Sequence, residues 1–387
     1  MFDSILMTLT QPASTDGAAS GDTEAGWRLP RRDYVLLPLI FVITIVVLLV
    51  AGEVSARVIY PQADASEPCE YPTSTGFRYR PMCTSHSKVW EGPWVTQHFN
   101  ACGYRAPEPC GPRPAGSLRV VVVGSSTARG ALVNYDESFA ARASAVLSKQ
   151  CGGVVDFQNL GSEPSDVDRI DLRMQEALAL KPSAIVMTIG PFDLIHLKDP
   201  PRTPGREAPP ERFNLRTAVS MLRESRLFLL MQYHLYTDPS FQIRGFLLND
   251  DPADYVRRPL SAAWQRRVSD LGDLLGRITV RTEPEHVPLL LFYLPERAQV
   301  ALARLPSDPP GVDPFVLGSA LDAEAGRFGV RFFDATKAFA TAADFQSLFY
   351  LTDGHPKEGG HAALAGVVEQ GLLSEPAFAV CRRASPK

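Results

Sequence analysis

The stretch that decides the fold is RVVVVGSSTARG, residues 119–130. Its four consecutive valines are β-branched and end at Gly124, a pattern typical of a short, buried strand in a parallel sheet. Two serines and a threonine follow at once, and open α/β sheets place their sites at this carboxyl end of a strand. Ser126 is therefore the candidate nucleophile. A phosphate-binding turn or a purely structural turn is the alternative.

Downstream of this stretch, predicted strands alternate with predicted helices. The strands cover residues 154–159, 184–189, 288–293 and 330–333, and the helices cover about 137–149, 165–180, 261–281, 314–327 and 358–373. Such alternation with short connections indicates a parallel sheet with right-handed crossovers. We expect a three-layer α/β/α sandwich around a five-stranded parallel sheet in a main domain at residues 119–387. An insertion at about 200–260 interrupts it.

The amino-terminal part of the chain predicts a membrane anchor. Residues 1–33 are poor in large apolar side chains and are predicted to form a disordered cytoplasmic tail. Residues 34–52 carry no charge, and their length in helix matches a bilayer core of ~30 Å. A cleaved signal peptide is the alternative, but the apolar run exceeds the usual ~7–15 residues. Because arginines precede the run, we expect a single-pass protein whose main domain is periplasmic or extracellular.

All six cysteines follow the predicted transmembrane helix. An even set of cysteines in an exported domain indicates disulfides. Six cysteines allow 15 pairings, among which the sequence cannot choose. Pairing between nearest neighbours would give Cys69–Cys83 and Cys102–Cys110 and leave Cys151–Cys381. Residues 53–118 are rich in Cys and Pro, and we expect an irregular stalk packed on the main domain. Because the sequence has no CxxC pair, disulfides are favoured over zinc, and neither a metal nor a cofactor is predicted.

Charge and hydropathy suggest which partners the chain has. A net charge of −4 without a basic cluster outside the membrane flank predicts no nucleic-acid partner. Residues 221–236 are strongly apolar. One interpretation is a helix that packs in the core. The other is a helix that lies on the membrane or, together with the transmembrane helix, on a membrane-protein partner.

A second stretch that contains candidate catalytic residues is YLTDGHPKEGGHAALA, residues 350–365. A serine hydroxyl is a weak nucleophile that needs an adjacent base, and an imidazole base needs an acceptor on its other nitrogen. A loop that carries Asp353 and His355 two positions apart supplies both groups from one piece of chain. The alternative is that Asp353 caps a turn and that His355 is an ordinary surface histidine.

With these motifs in place, residues 100–371 resemble the SGNH, or GDSL-like, hydrolase family. Gly124-Ser125-Ser126 is similar to the Gly-Asp-Ser block of that family, with Ser125 in place of the aspartate. The resemblance implies a flavodoxin-like sheet and a catalytic triad of Ser126, His355 and Asp353. It also implies an oxyanion hole formed by the backbone N–H groups of Ser126 and Gly161. By likeness to membrane-anchored members, the implied substrate is an O-acyl group on a cell-envelope glycan or a small ester.

One block departs from the family pattern. The family has Gly-x-Asn-Asp after the third strand, where the asparagine donates to the oxyanion, whereas this chain has Gly190-Pro191-Phe192-Asp193. A phenylalanine cannot donate, and loss of one such donor costs about 10²–10³ in rate. Three hypotheses follow: a membrane-anchored serine esterase, an O-acyltransferase with the same triad, and an inactive accessory subunit of a membrane protein complex.

Overall fold

The computed structural model describes residues 30–61, 63–64, 69–111, 113–198 and 225–383. The chain divides into two compact units, residues 1–52 and residues 53–387. Most of the predicted tail and residues 199–224 of the predicted insertion lie outside the described residues. The finer domain boundaries therefore remain predictions.

Most described residues of the first unit belong to α1, Asp33–Ile59. The apolar side chains of residues 34–50 are exposed, whereas the core helix of a soluble protein would bury its apolar side chains. The helix is long and apolar enough to cross a membrane, which makes it a candidate for an anchor or a signal sequence.

The second unit is organised around a five-stranded sheet. The strands are β1 Ala63–Asp64, β2 Glu70–Thr73, β3 Gly76–Tyr79, β4 Thr84–Lys88, β5 Val95–His98, β6 Leu118–Val123, β7 Val155–Asn159, β8 Ala184–Ile189, β9 Leu289–Tyr293 and β10 Arg331–Asp334. The large sheet has the order β10-β9-β8-β6-β7, and all its pairs are parallel. Its three central strands, β6, β8 and β9, are almost wholly buried, as expected for strands covered by helices on both faces.

The strand order places a switch point beside β6. Numbered along the chain, the five parallel strands have the order 2-1-3-4-5, which is the flavodoxin-like arrangement. The chain moves from β6 to one side and then returns to β8 on the other side, which opens a crevice at the carboxyl ends of β6 and β8. The predicted fold class, a five-stranded parallel α/β sheet, is confirmed.

Helices pack on both faces of this sheet. Among the described residues they are α2 Ser126–Arg129, α3 Phe139–Cys151, α4 Met174–Ala179, α5 Pro191–His196, α6 Arg226–Tyr236, α7 Pro239–Leu247, α8 Asp250–Ala253, α9 Ala262–Thr282, α10 Arg297–Ala303, α11 Val316–Gly326, α12 Thr336–Thr341, α13 Glu358–Leu373 and α14 Ala379–Arg383. Short 3-10 helices cover Tyr135–Glu137, Pro164–Arg173, Asp254–Val256, Glu283–Glu285, Phe345–Ser347 and Pro376–Phe378. In one layer α3 packs on α13, and in the other α9 packs on α11.

The structure departs from the sequence expectations in two places. The predicted helix at 165–180 is a 3-10 helix, Pro164–Arg173, followed by the short α4. The stretch 53–118, expected to be irregular, holds the antiparallel pair β2–β3 and the three-stranded sheet β1-β4-β5. Strands of two to five residues are too short to show a clear period of two in sequence, which explains this second difference.

The disulfide prediction is confirmed. The bonds are Cys69–Cys83, Cys102–Cys110 and Cys151–Cys381, so none of the six cysteines is free. Two bonds lie within the amino-terminal part of the second unit. The third ties the end of α3 to α14, close to the end of the chain.

Candidate active site

The position of Ser126 follows from the turn after β6. Gly124 has φ +144°, and a Cβ there would lie 2.8 Å from the Ala128 side chain and 2.9 Å from the Thr188 carbonyl oxygen. Only glycine fits this position, which lets the chain leave the sheet sharply. Ser126 then opens α2 and is 9% exposed. The nucleophile predicted from sequence therefore stands at the switch point of the sheet.

The loop before α13 brings the other two predicted triad residues to Ser126. The Ser126 Oγ and His355 Nε2 atoms are 2.8 Å apart, and His355 Nδ1 is 2.7 Å from Asp353 Oδ1. The His355 backbone N–H also donates to Asp353 Oδ1, at 3.1 Å, and Gly354 between them has φ +87°. This arrangement can deliver the serine proton to an imidazole whose other nitrogen is fixed by a carboxylate.

Asp353 and His355 shift each other's pKa values so that each favours its charged form. Burial lowers the pKa of His355, but the Asp353 carboxylate outweighs burial through its charge and hydrogen bond and raises that pKa above its usual 6.5. Burial raises the pKa of Asp353, but the imidazole opposite outweighs it, so this pKa lies below its usual value. Asp353 is therefore ionised at neutral pH and can stabilise an imidazolium.

Glu91 holds the loop that carries the pair, and sequence reasoning missed it. Its carboxylate accepts the backbone N–H groups of Leu351, Thr352 and Asp353 at 2.8, 2.9 and 3.0 Å, and the Thr352 hydroxyl at 2.7 Å. The neighbouring Trp90 donates its indole N–H to the same hydroxyl at 3.1 Å. Because this contact spans some 260 residues, no local motif marks it.

Gly161 lies beside the nucleophile, but its N–H is already engaged. The Gly161 N–H donates to Asn159 Oδ1 at 2.9 Å, and the Asn159 amide nitrogen donates to the Ala128 carbonyl at 2.8 Å. A Cβ on Gly161 would collide with the backbone of Arg129, so only glycine allows this close approach to α2. The oxyanion role of Gly161 stays a prediction, and it requires that Asn159 release this N–H group.

The third block lies at the start of α5. Phe192 is 53% exposed, and its ring centroid lies 4.3 Å from that of His196. Its side chain also lines the cavity over the triad. Asp193 is buried and accepts the Gly190 N–H at 2.8 Å and a hydrogen bond from the Ser125 side chain. Burial raises the pKa of Asp193. The Ser125–Asp193 contact ties the loop after β6 to the loop after β8.

A cavity of about 330 Å³ opens over the triad. Its apolar walls are Phe192, Phe246, Leu294, Phe349 and Leu351. Its polar lining includes Gln242, Glu296 and Arg297, none of which was singled out from sequence. Burial raises the pKa of Glu296 to about 7. The cavity has room for a small ester with both apolar and polar parts.

Metal ligands do not cluster in the part of the chain that the structure describes. No group of three or more His, Cys, Asp or Glu side chains there could hold a metal ion.

Comparisons with known proteins give structural neighbours at low similarity. No protein-family model and no curated protein matches the chain. An acetyl-xylooligosaccharide esterase from Geobacillus is 14% identical with a TM-score of 0.39, covering 67% of this chain and 95% of that one. A lipolytic protein of the G-D-S-L family from Desulfitobacterium hafniense is 16% identical with a TM-score of 0.33, covering 65% and 98%. A lipase/acylhydrolase from Enterococcus faecalis is 12% identical with a TM-score of 0.36, covering 70% and 98%. The solved structures similar to this chain thus include lipolytic hydrolases of the GDSL type.

Proposed function

We propose that this protein is a membrane-anchored serine esterase of the SGNH type. The observation that carries the proposal is the continuous hydrogen-bonded chain from Ser126 Oγ through His355 to Asp353, with steps of 2.8 and 2.7 Å. Each imidazole nitrogen of His355 has a hydrogen-bond partner, and the serine partner lies at the carboxyl end of a central strand. Nucleophile, base and orienting acid within such reach are the signature of acyl transfer.

The proposed mechanism proceeds through an acyl-enzyme. Ser126 Oγ attacks the ester carbonyl carbon while His355 Nε2 takes the hydroxyl proton. His355 returns that proton to the leaving alcohol as the carbon–oxygen bond breaks. A water molecule then attacks the acyl-serine, His355 takes its proton, and the carboxylic acid leaves as Ser126 regains its hydrogen.

Stabilisation of the oxyanion is the weakest part of this site. The Ser126 N–H at the start of α2 is one proposed donor, and the Gly161 N–H is the second once Asn159 turns away from it. Phe192 adds no donor. We therefore expect turnover about 10²–10³ below that of a site with a full set of donors.

The proposed location and substrate follow from the rest of the chain. Three disulfides favour an oxidising compartment, and an exposed apolar α1 favours an anchor over a core helix. The cavity volume suits a short acyl chain, which agrees with acetyl or similar esters on envelope glycans. Protease treatment of spheroplasts should remove the second unit, and full protection of that unit would reverse the topology.

An inactive accessory subunit is the second candidate. The exposed Phe192 and the engaged Gly161 N–H favour it, because neither supplies a donor to the oxyanion in this arrangement. An O-acyltransferase would use the same acyl-enzyme with a sugar hydroxyl in place of water. Product analysis with and without a glycan acceptor separates transfer from hydrolysis.

Labelling with a fluorophosphonate probe tests the proposal directly. We expect the purified protein to be labelled at Ser126 and to hydrolyse a small acetyl ester. The variants Ser126→Ala and His355→Ala should lose both properties while they keep their thermal melting temperatures. Wild-type protein that matches Ser126→Ala in both assays would support the accessory subunit instead.

A further inference from the structure

We propose that the cavity beside Ser126 contains a subsite for an anionic group, centred on Arg297, so that the preferred substrate is an ester that carries a carboxylate. The inference rests on the proposed function and names the substrate class of the same site.

Arg297 is a buried cation on the cavity wall. It begins α10, is 3% exposed and lines the cavity together with the triad. Its guanidinium donates to the side-chain amide oxygens of Gln242 and Gln346 and lies 4.7 Å from the centre of the Phe345 ring. Within the described residues its Nε atom has no hydrogen-bond partner. The groups that contact the guanidinium are thus neutral, and the Glu91 carboxylate, which raises the pKa of Arg297, acts on it from beyond 4.0 Å.

Other buried arginines of the chain are compensated differently. Arg119 pairs with Asp156 at 2.6 Å and Arg173 pairs with Glu176 at 3.3 Å. Arg105 donates to three backbone carbonyl oxygens. Arg297 has no carboxylate within 4.0 Å in the described part of the chain, and burial lowers its pKa to about 10. It therefore keeps its charge at neutral pH, and an anion that enters the cavity would compensate it.

The acids that line the same cavity have partners of their own. Tyr255 donates to Glu296 at 3.1 Å, the Gly190 N–H donates to Asp193, and His355 holds Asp353. The neighbour Glu296 faces Tyr255 rather than Arg297, and its pKa near 7 leaves it only partly charged at neutral pH. Arg297 thus remains available to a negative group of the substrate.

Gln242 adds a neutral donor to this subsite. It also lines the cavity, and it directs its amide oxygen to Arg297. Its other terminal atom, the amide nitrogen, is therefore not the atom that contacts Arg297 and is a hydrogen-bond donor. A planar guanidinium binds a carboxylate with two parallel hydrogen bonds, and an adjacent amide donor can complete the recognition of such a group.

Binding to the Ser126→Ala variant of the full-length protein tests the subsite without turnover. The ligands are two matched pairs measured by calorimetry. 4-Acetoxybenzoate and its methyl ester place the charge on the alcohol side, and phenyl hydrogen succinate and its methyl ester place it on the acyl side. We expect the anion of at least one pair to bind about tenfold or more tightly than its neutral partner.

Two further variants in the Ser126→Ala background separate the subsite from general packing. Arg297→Gln should reduce the preference for the anion to about twofold or less and leave the affinity for the neutral ligand unchanged. Arg304→Gln is the matched control, because Arg304 packs on the same Phe345 ring but donates to the Ala340 and Ala342 carbonyls. It should keep the full preference.

The inference is overturned if neither anion binds more tightly than its methyl ester, or if Arg304→Gln removes the preference as Arg297→Gln does. Should Arg297→Gln fail to fold, Arg297→Lys decides, because lysine keeps the charge but cannot form two parallel hydrogen bonds to a carboxylate. It should reduce the preference for the anion, and an unchanged preference overturns the subsite. Absence of fluorophosphonate labelling in the wild type would refute the esterase while leaving this binding result in place.

Discussion

The two halves of the candidate site are held in place by different means. Ser126 is positioned by its immediate neighbours, the buried strand β6 and the turn at Gly124. The loop with Asp353 and His355 is positioned by Glu91, a carboxylate from a different part of the chain. The first half can be recognised in a dozen residues of sequence, whereas the second depends on a contact that only the folded chain creates.

The largest expected effect breaks the local half. Gly124→Ala places a Cβ 2.8 Å from Ala128 and 2.9 Å from the Thr188 carbonyl at a positive φ. We expect the free energy of unfolding to fall by at least about 3 kcal/mol and esterase activity to disappear. Urea unfolding of the detergent-solubilised protein, followed by tryptophan fluorescence, measures the change.

Gly152→Ala is the matched control for that variant. Gly152 also has a positive φ, of +66°, but a Cβ there would meet nothing within 4 Å. Backbone strain alone should cost about 1–2 kcal/mol and leave activity intact. Equal losses of stability in the two variants would show that the close approach at Gly124 has no special importance.

Asp353→Asn breaks the contact between Asp353 and His355 within the second half of the site. The general base must be neutral, so the rate should rise with pH through the pKa of His355, which Asp353 holds above 6.5. Without the carboxylate, burial remains the largest influence and lowers that pKa. We expect a plateau about 10³–10⁴ lower and a midpoint shifted to lower pH, measured as kcat/KM from pH 5 to 9. An unchanged midpoint would separate Asp353 from the base.

Glu91→Gln weakens the remote half alone. An amide keeps one acceptor oxygen and loses the negative charge that holds three backbone N–H groups. We expect kcat to fall about 10- to 100-fold, because a loop displaced by about 1 Å misplaces the base. We expect a smaller change in KM, since Leu351 of the same loop also lines the cavity. Steady-state kinetics with a small acetyl ester measure both parameters.

Glu108→Gln provides the control for this variant. Glu108 also accepts backbone N–H groups, from Ala101 and Cys110, in the same amino-terminal part of the second unit, but it does not contact the loop with His355. Its activity should stay within about twofold of wild type. If the two variants lose activity in proportion to their loss of thermal stability, Glu91 has a structural role and not a positioning one.

Features that depend on neighbouring residues could be predicted from sequence, as for the half of the site around Ser126. Continuous apolar runs reveal β6, β8 and β9, because strands covered on both faces must be apolar throughout. The sequence predicted disulfides but left their pairing open, and the bonds in the structure join nearest neighbours and the remaining two cysteines. Short motifs pointed to Ser126, Asp353 and His355, which the structure brings together.

What sequence could not show depends on contacts between distant segments. Glu91 stands in a Pro- and Gly-rich stretch where a lone acidic residue carries no signal. The engagement of the Gly161 N–H depends on the rotamer of Asn159, and no periodicity encodes a rotamer. That Arg297 lacks a carboxylate in direct contact is apparent only once the groups that contact it are known to be amides and an aromatic ring.

The smallest expected effect comes from a change at the oxyanion position, where Ser126 and the base must act on the same substrate atom group. Phe192→Asn introduces an amide donor into the lining of the cavity, at the position where the sequence resemblance implies the asparagine of the SGNH family. Phe192 is 53% exposed, so loss of its ring leaves little void in the core. One well-placed donor is worth about 2.7–4 kcal/mol, and a misplacement of about 1 Å removes much of that gain. We therefore expect turnover of a small acetyl ester to rise about tenfold.

The variant must be compared with Ser126→Ala and with Phe192→Ala, which removes the ring without adding a donor. A rise in Phe192→Asn but not in Phe192→Ala assigns the gain to the new hydrogen bond. Equal rises in turnover in both variants assign the gain to easier entry of the substrate once the phenylalanine ring is removed. If wild type and Phe192→Asn both stay at the level of Ser126→Ala while folding normally, the aligned triad does not support turnover. The Gly161 N–H held by Asn159 would then leave the site at least one oxyanion donor short, and the inactive accessory subunit would be the better interpretation.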